Sequence, residues 1–249
     1  MSIRLAALAI VIPALLASAG PARASEVQIN PVVVSLSQAA RSAIVTVRNA
    51  GQETTRFELQ VRSWGQDPTG EMLLAATTEL AVYPPQLTLG PGEERNVRIG
   101  ASTPFGPVEK TYRVFLQEMP PPEKPDAAVQ VRVVSRIGLP VFLAPAKAVE
   151  KPLLVDLAAR AGKVTFRLVN EGTVHVRPTS VKVVGLGADG KPVLERELAA
   201  WYVLAGGERR YEVEIPRESC GAVQAIDVQV AIPRDVLQAT LPKSSPCAP

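Results

Sequence analysis

Apolar residues alternate with polar or small residues through most of the chain. A period of two places successive side chains on opposite faces of a strand, so each such run predicts a strand with one buried face. The runs lie at residues 27–29, 45–47, 57–61, 97–99, 129–133, 164–168, 181–183, 211–215 and 226–232. Clusters of Gly, Pro, Asn and Asp separate them, as turns separate antiparallel strands. The 23 prolines disfavour long helices, so the pattern predicts an all-β fold of the sandwich type.

Two turn signals occur twice, in the same order and at similar spacing. A strand ending in Asn-x-Gly occurs at residues 49–51 and again at residues 170–172. A Gly-rich turn that begins with Leu and ends with Glu follows at residues 89–93 and again at residues 204–208. Such a repeat predicts two copies of one immunoglobulin-like sandwich.

The boundary between the two copies is predicted in a Lys-containing polar segment between Pro145 and Pro152. We therefore expect an N-terminal domain over residues 25–146 and a C-terminal domain over residues 147–249. Each is of the size expected for one sandwich with its own core.

Residues 1–24 have the features of a cleaved secretory signal peptide. Arg4 gives a positive start, residues 5–17 are mostly apolar, and residues 22–24 read Ala-Arg-Ala, a small-x-small cleavage site. The apolar run is shorter than the roughly 20 residues that cross a bilayer. We expect export from the cytoplasm and, in a bacterium, a periplasmic protein.

Charge and the apolar runs argue against two classes of partner, nucleic acids and membranes. The chain has 27 Lys and Arg against 24 Asp and Glu, and the predicted signal peptide contains two of the basic residues and no acidic one. The remaining 25 against 24 leave almost no net charge, which argues against a nucleic-acid partner. Since no second long apolar run follows, we expect no stable membrane insertion.

The two cysteines, Cys220 and Cys247, both lie near the C-terminus. In an exported protein, an even number of cysteines predicts a disulfide, here one that attaches the tail to the second domain. Neither a Cys-x-x-Cys pair nor clustered histidines accompany them, so we expect no metal site.

No motif predicts catalysis. His175 is the only histidine, and no Gly-x-Ser-x-Gly nucleophile motif occurs. Residues 185–190 match the letters of the dinucleotide motif Gly-x-Gly-x-x-Gly, but Asp189-Gly190 is a hairpin-turn signal between two strand-like runs. We expect a loop at this place, no cofactor and no enzyme activity.

The segment Ala127–Ile137 is a candidate binding strand. It alternates valines with polar residues and follows the Pro-rich residues 120–125. The valines could fill the core of their own domain, or the strand could add to the sheet of a partner by β-augmentation. The pattern alone leaves both readings open.

The sequence resembles the periplasmic chaperones of the chaperone–usher pilus pathway. The similar segments are the first strand (residues 27–36), Asn-Ala-Gly at residues 49–51, Tyr-Pro-Pro and the following Gly-rich turn (residues 83–92), Tyr-Arg-Val-Phe-Leu-Gln-Glu-Met-Pro-Pro (residues 112–121) and Arg-Ile-Gly-Leu-Pro-Val-Phe (residues 136–142). The resemblance is specific over most of residues 26–145 and weaker in the second half.

This resemblance implies two immunoglobulin-like domains at an angle, with a cleft between them. It implies donor-strand complementation, in which the chaperone lends a strand to a pilus subunit whose own fold lacks one and then delivers the subunit to an outer-membrane usher. The donor residues would be Val129, Val131 and Val133.

The resemblance also implies a basic anchor for the C-terminal carboxylate of the subunit. The family's usual pattern places an Arg and a Lys where this chain has Pro31 and Gly138. The segments at residues 112–113 and 140–142 resemble the archaic or alternative branch, in which an arginine of the penultimate strand takes this role. The carboxylate anchors are therefore expected at Arg113, with Arg136 as the second candidate.

Two other functions are compatible with export and an all-β fold, but the sequence supports each of them less. A structural pilus or surface-adhesion component would have an incomplete domain and an N-terminal donor extension, whereas two complete sets of strands are predicted here. A carbohydrate-binding accessory would need clustered exposed aromatic residues, and Trp64 and Trp201 are far apart in the sequence.

Overall fold

The structure is a computed structural model, and it describes residues 26–120 and 133–242. These residues form 17 strands and one short 3-10 turn, Arg217–Ser219. The first ten strands are β1 (Val27–Asn30), β2 (Val34–Leu36), β3 (Ser42–Asn49), β4 (Thr55–Gln66), β5 (Met72–Ala76), β6 (Leu80–Tyr83), β7 (Gln86–Leu89), β8 (Glu94–Ala101), β9 (Lys110–Met119) and β10 (Arg136–Leu143). The other seven are β11 (Pro152–Arg160), β12 (Lys163–Asn170), β13 (Ser180–Leu186), β14 (Pro192–Leu198), β15 (Glu208–Glu214), β16 (Ala225–Ile232) and β17 (Asp235–Leu241).

The first ten strands form one sandwich of two sheets. One sheet has the order β1-β3-β8-β6, and the other has the order β2-β10-β9-β4-β5 with β7 also paired to β4. Every pairing is antiparallel except that of β2 with β10. The alternating apolar residues of both sheets point inward and form one buried core, as the period of two predicts.

The last seven strands form a second sandwich with its own buried core. Its sheets have the orders β11-β12-β15 and β14-β13-β16-β17. The predicted fold class, all-β with two immunoglobulin-like sandwiches, is confirmed. The domain boundary at residues 146 and 147 stays a prediction; β10 ends at Leu143 and β11 begins at Pro152.

The repeated turn signals have a common structural role. Asn49 is fully buried, and its side-chain amide donates to the carbonyl of Leu89 at 3.0 Å. Asn170 is also buried, and its amide donates to the carbonyl of Leu204 at 3.2 Å. Each Asn side-chain oxygen also accepts from the N–H of the following Gly, at 3.0 Å for Gly51 and 2.9 Å for Gly172. The repeat therefore marks a buried asparagine that ties two turns together in each sandwich.

The two sandwiches are joined by a small apolar group that we call the junction cluster: Trp64, Phe142, Tyr202 and Leu204. Trp64 and Phe142 belong to the first sandwich, and the other two residues precede β15 in the second. Gln66 links the same surfaces, because its amide donates to the carbonyl of Tyr202 at 2.9 Å and its side-chain oxygen accepts from the N–H of Leu204 at 3.1 Å. These contacts fix the second sandwich against strands β4 and β10.

The predicted disulfide and signal peptide lie partly or wholly outside the described residues. Cys220 packs against the second core, whereas Cys247 and the predicted signal peptide lie outside the described residues, so the pairing and the cleavage stay predictions. Within the described parts of the chain, no helix has the length and apolar character needed to cross a membrane.

Candidate functional site

Strand β10 has one edge that is only partly paired. It is bonded to β9 over its whole length, but to β2 only from Val141 to Leu143. Among the described residues, no strand pairs with the other edge of residues 136–140. An unpaired edge exposes backbone N–H and C=O groups that can pair with another chain.

The predicted donor residues lie just before this edge. Val129 and Val131 lie outside the described residues, and Val133 is 64% exposed and precedes β10. The predicted strand Ala127–Ile137 overlaps β10 only at its last two residues, because β10 begins at Arg136 and continues to Leu143. Ile137 packs against the first core, so the same face of the strand turns inward further along the chain.

The outer face of this sheet carries side chains that break the alternation. On β9, Tyr112, Val114 and Leu116 point into the core, whereas Arg113 and Phe115 lie between them and are also buried. Trp64 on β4 and Phe142 on β10 likewise fall out of phase with the inward residues of their strands. The outer face is therefore partly covered and is not a simple solvated surface.

Arg113 is a buried arginine without an acidic partner among the described residues. It is 5% exposed, and its guanidinium carbon lies 4.0 Å from the ring centroid of Trp64. Its Nη1 donates to the carbonyl of Gly138 at 3.3 Å, while Nε and Nη2 have no hydrogen-bond partner. Burial lowers the pKa of Arg113, because desolvation opposes the charged form. Burying such a charge costs free energy unless an anion pairs with it.

Arg136 is in a different environment. It is exposed at the start of β10, and its guanidinium carbon lies 4.1 Å from the ring centroid of Phe115. In the register of β9 and β10, Arg136 faces Gln117, whereas Arg113 faces Pro140. Four residues along a strand correspond to about 13 Å between the two backbone positions. Both side chains reach towards Gly138, because Arg113 donates to its carbonyl and Arg136 stacks on Phe115, the residue that faces Gly138.

Gly138 lies between them, and Phe115 explains why this position has no side chain. A Cβ atom added to Gly138 would lie 2.9 Å from Cε1 of Phe115. The phenyl ring therefore occupies the space that a lysine at this position would need.

The end of β9 that carries Arg113 is held by a polar network on the core side. Glu79 accepts hydrogen bonds from Lys110 at 2.8 Å, from the Tyr112 hydroxyl at 2.7 Å and from Thr103 at 2.9 Å. These bonds, led by the one from Lys110, lower the pKa of Glu79 to about 2. Since Tyr112 and Arg113 are adjacent on opposite faces, the network fixes the strand beneath the guanidinium.

His175 joins the two sandwiches. Its Nδ1 lies 2.7 Å from the carboxylate of Glu109, which also accepts from the His175 backbone N–H at 2.9 Å. The imidazole stacks on Phe142 with centroids 3.8 Å apart and contacts Tyr202 at 5.3 Å. Among the described residues no hydroxyl or thiol is hydrogen-bonded to the imidazole, so this pair has no nucleophile and its contacts are those of a structural link.

No group of three or more His, Cys, Asp or Glu side chains suited to a metal ion occurs in residues 26–120 and 133–242. The Gly-x-Gly-x-x-Gly letters at residues 185–190 span the last two residues of β13 and the turn that leads to β14, with Gly190 at a φ of 75°. The loop expected from Asp189-Gly190 is therefore present, and it precedes a strand instead of the helix that would bind a pyrophosphate.

The open edge ends beside Arg113. A strand that pairs with residues 136–140 must end before Val141, because β2 pairs with β10 from that residue onward. If it runs parallel to β10, as β2 does, its C-terminus lies level with Pro140, the residue that faces Arg113 on β9. The geometry thus combines a backbone edge for a strand with a cation close to the last residues of that strand, since the guanidinium donates to the carbonyl of Gly138.

Sequence reasoning missed the tryptophans of this site. Trp64 stacks on Arg113, and the ring centroid of Trp201, from the second sandwich, lies 5.6 Å from the same guanidinium carbon. A usable signal was the phase of Trp64, which falls on the face opposite to Phe57 and Leu59 of its own strand. Nothing in the sequence marks Trp201, because its contact depends on how the sandwiches meet.

Comparison with known proteins agrees with this architecture. Residues 26–149 match the family described as the pili and flagellar-assembly chaperone, PapD N-terminal domain. No curated protein sequence matches the chain.

Three solved structures illustrate the similarity. A chain of the CsuC–CsuE chaperone–tip adhesion subunit complex of Acinetobacter baumannii matches with a TM-score of 0.61 and 17% identity, over 87% of this chain and 98% of that one. A chain of the SafA pilin–SafB chaperone complex of Salmonella enterica matches with 0.58 and 15%, over 88% and 98%. The E. coli chaperone DraB matches with 0.57 and 16%, over 88% and 100%.

At these identities the structural matches establish the shared two-domain fold, and the match of residues 26–149 establishes the family. The chain belongs to the pili and flagellar-assembly chaperones of the PapD type.

Proposed function

We propose that this chain captures pilus subunits by donor-strand complementation and delivers them to an outer-membrane usher. One observation carries the proposal: the unpaired edge of β10 ends beside a buried, unneutralised arginine. A strand with a free C-terminal carboxylate satisfies both features at once, because its backbone pairs with the edge and its terminus supplies the missing anion.

The donor residues in this proposal are Val129, Val131 and Val133. They have the same parity as Ile137 and Leu139, which pack inward in the chaperone's own sandwich. N-terminal to β10, the side chains on that face fill the groove of a subunit instead of the chaperone's own core. Burial of each valine contributes about 1.5–3 kcal/mol, and the anchored carboxylate sets the register that keeps them facing the groove.

Arg113 is the anchor that the geometry favours. Its Nε and Nη2 are unpaired, and its guanidinium donates to the carbonyl of Gly138, two residues before the end of the unpaired stretch of β10. Arg136 is exposed and already stacked on Phe115. We assign it a role in holding the outer face of β10 and not the carboxylate.

The solved relatives support this reading. The Acinetobacter and Salmonella structures are named as complexes of a chaperone with a subunit or pilin, and the Acinetobacter pili are named as archaic. An anchor on β9 combined with Gly138 fits that branch. We further propose that residues 1–24 direct export and are removed, that the chain acts in the periplasm, and that it acts by binding, without catalysis or a cofactor.

Fractionation of pili separates this function from that of a structural pilus component. The tagged chain, co-expressed with a subunit and usher of a chaperone–usher pilus, is expected in the periplasm as an equimolar complex with the subunit and absent from purified fibres. Recovery of the chain as a constituent of the fibres would instead support the structural role and contradict the proposal.

A further inference from the structure

The two unpaired nitrogens of Arg113 lie on one edge of the guanidinium. Nη1 is used by the carbonyl of Gly138, which leaves Nε and Nη2 without a partner. These two N–H groups lie side by side and can donate two parallel hydrogen bonds, one to each oxygen of a carboxylate. Nε and Nη2 are thus unpaired, and two indole rings, those of Trp64 and Trp201, lie near the guanidinium.

Trp64 covers one face and adds a further unpaired donor. Its ring centroid lies 4.0 Å from the guanidinium carbon of Arg113, and its own Nε1 is buried without a hydrogen-bond partner. A buried indole N–H normally has an acceptor. Two residues in contact thus carry three buried donors without acceptors, a deficit that an oxyanion would satisfy.

Trp201 lies over the same guanidinium from the second sandwich. Its ring centroid is 5.6 Å from the guanidinium carbon, and it packs edge-on against Tyr202 at 5.4 Å. Unlike Trp64 it is 39% exposed, and it lies between β14 and β15, outside regular strands. Within the described residues its indole has no hydrogen bond to hold it in place. Of the three side chains it is therefore the most exposed, whereas Arg113 and Trp64 are buried.

We propose that Trp201 is a movable cover over an oxyanion pocket formed by Arg113 and Trp64, closed when the pocket is empty and displaced when a C-terminal carboxylate enters. This inference rests on the proposed function, because it takes the carboxylate to be that of a captured strand. The aromatic faces stabilise the buried cation while no anion is present. Because Trp201 comes from the second sandwich, the cover also lets that sandwich sense whether the anchor is occupied.

Fluorine NMR of the chain labelled with fluorotryptophan tests the cover without a mutation at the site, since the chain has only two tryptophans. The probes are two synthetic strand peptides of alternating valine and threonine, identical except for a free carboxylate or a carboxamide at the C-terminus. Trp201→Phe assigns the two resonances. We expect the acid to shift both resonances and the amide to shift neither.

The outcomes separate the cover from the anchor. If the carboxylate peptide shifts only the resonance of Trp64, the carboxylate binds beside Arg113 and Trp64, but the proposed role of Trp201 as a cover is wrong. If acid and amide have equal effects, carboxylate anchoring itself is wrong, and with it the basis of this inference.

Affinity gives an independent measurement. If the open state is populated to about 10% or less, removing the cover raises the affinity for the acid peptide by about tenfold or more. We expect this gain in Trp201→Ala and not in Trp201→Phe, which keeps a ring over the guanidinium. Leu73→Ala, at an exposed position on β5, is the matched control. An unchanged or lower affinity in a folded Trp201→Ala chain would overturn the cover.

Discussion

The guanidinium of Arg113 lies against the ring of Trp64, 4.0 Å from its centroid, with one edge unpaired. A buried arginine ordinarily has a carboxylate partner, because the desolvation of an isolated charge is costly. Here the described residues supply a carbonyl and aromatic rings but no anion. We therefore expect the arrangement to lower the stability of the unbound chain and to raise its affinity for a ligand that brings a carboxylate.

Replacing Arg113 therefore has opposite effects on stability and on binding. In Arg113→Met the apolar stem remains and the unpaired charge is removed, so the free energy of unfolding should be unchanged or higher. Subunit capture should weaken by about 2–5 kcal/mol, because the carboxylate is left buried without its partner. Chemical denaturation and a subunit-binding titration measure the two effects.

Arg98→Met is the matched control for that experiment. Arg98 is an exposed arginine of β8, in the other sheet, with a hydrogen bond to Ser42 at 3.1 Å. It should leave capture unchanged. Equal losses in both variants would show that general charge, and not the position of Arg113, accounts for capture.

Gly138→Lys restores the residue type that the family usually has at this position, yet it should destabilise this chain. The new Cβ would lie 2.9 Å from Phe115, and relief of such a clash costs about 1–3 kcal/mol of the free energy of unfolding. Urea denaturation measures the loss. In the double variant Phe115→Ala, Gly138→Lys, the lysine should cost less than it does alone. Strictly additive effects would mean that the phenyl ring does not exclude the side chain.

Glu79 makes the stability of the first sandwich depend on pH. Its pKa is about 2 in the folded chain against an ordinary value of 4.5, so its contribution is present above about pH 4.5 and is lost as the pH falls towards 2. Because the Glu79 side chain is 41% exposed, solvent screening limits this contribution to about 1 kcal/mol.

Glu79→Gln should therefore be less stable than the wild type near neutral pH and lose less stability on acidification. Urea denaturation at about pH 7 and pH 3 measures this difference. Glu94→Gln, at an exposed position on β8, should behave as the wild type at both pH values. An equal acid-induced loss in Glu79→Gln and the wild type would contradict the assignment.

The sequence predicted the strands and the twofold repeat because both depend on local patterns. Alternation follows from one buried face per strand, and the Asn-x-Gly repeat follows from a buried asparagine that binds a second turn in each sandwich. Arg113 could be named only through the family resemblance. Its burial and its free edge depend on Trp64 and Gly138, which lie on neighbouring strands far away in the sequence.

The junction of the sandwiches could not be predicted in the same way. Trp64 and Trp201 look scattered in the sequence, yet both lie over Arg113. His175 looks isolated but binds Glu109 across the junction. These contacts depend on the relative placement of two separately folded units, which no short-range period encodes.

Capture of a subunit by Val131→Asp tests whether the valines of residues 129–133 enter the subunit groove. A carboxylate at this position would have to be buried in the apolar groove of the subunit, at a cost that abolishes capture, while the chaperone itself stays folded. Gln130→Asp places the same charge one residue away on the opposite face and should leave capture intact. The measurement is the amount of pilus subunit that co-purifies from periplasm with the tagged chain. The account predicts subunit with the wild type and Gln130→Asp and none with Val131→Asp; equal recovery with Val131→Asp would contradict donor-strand capture.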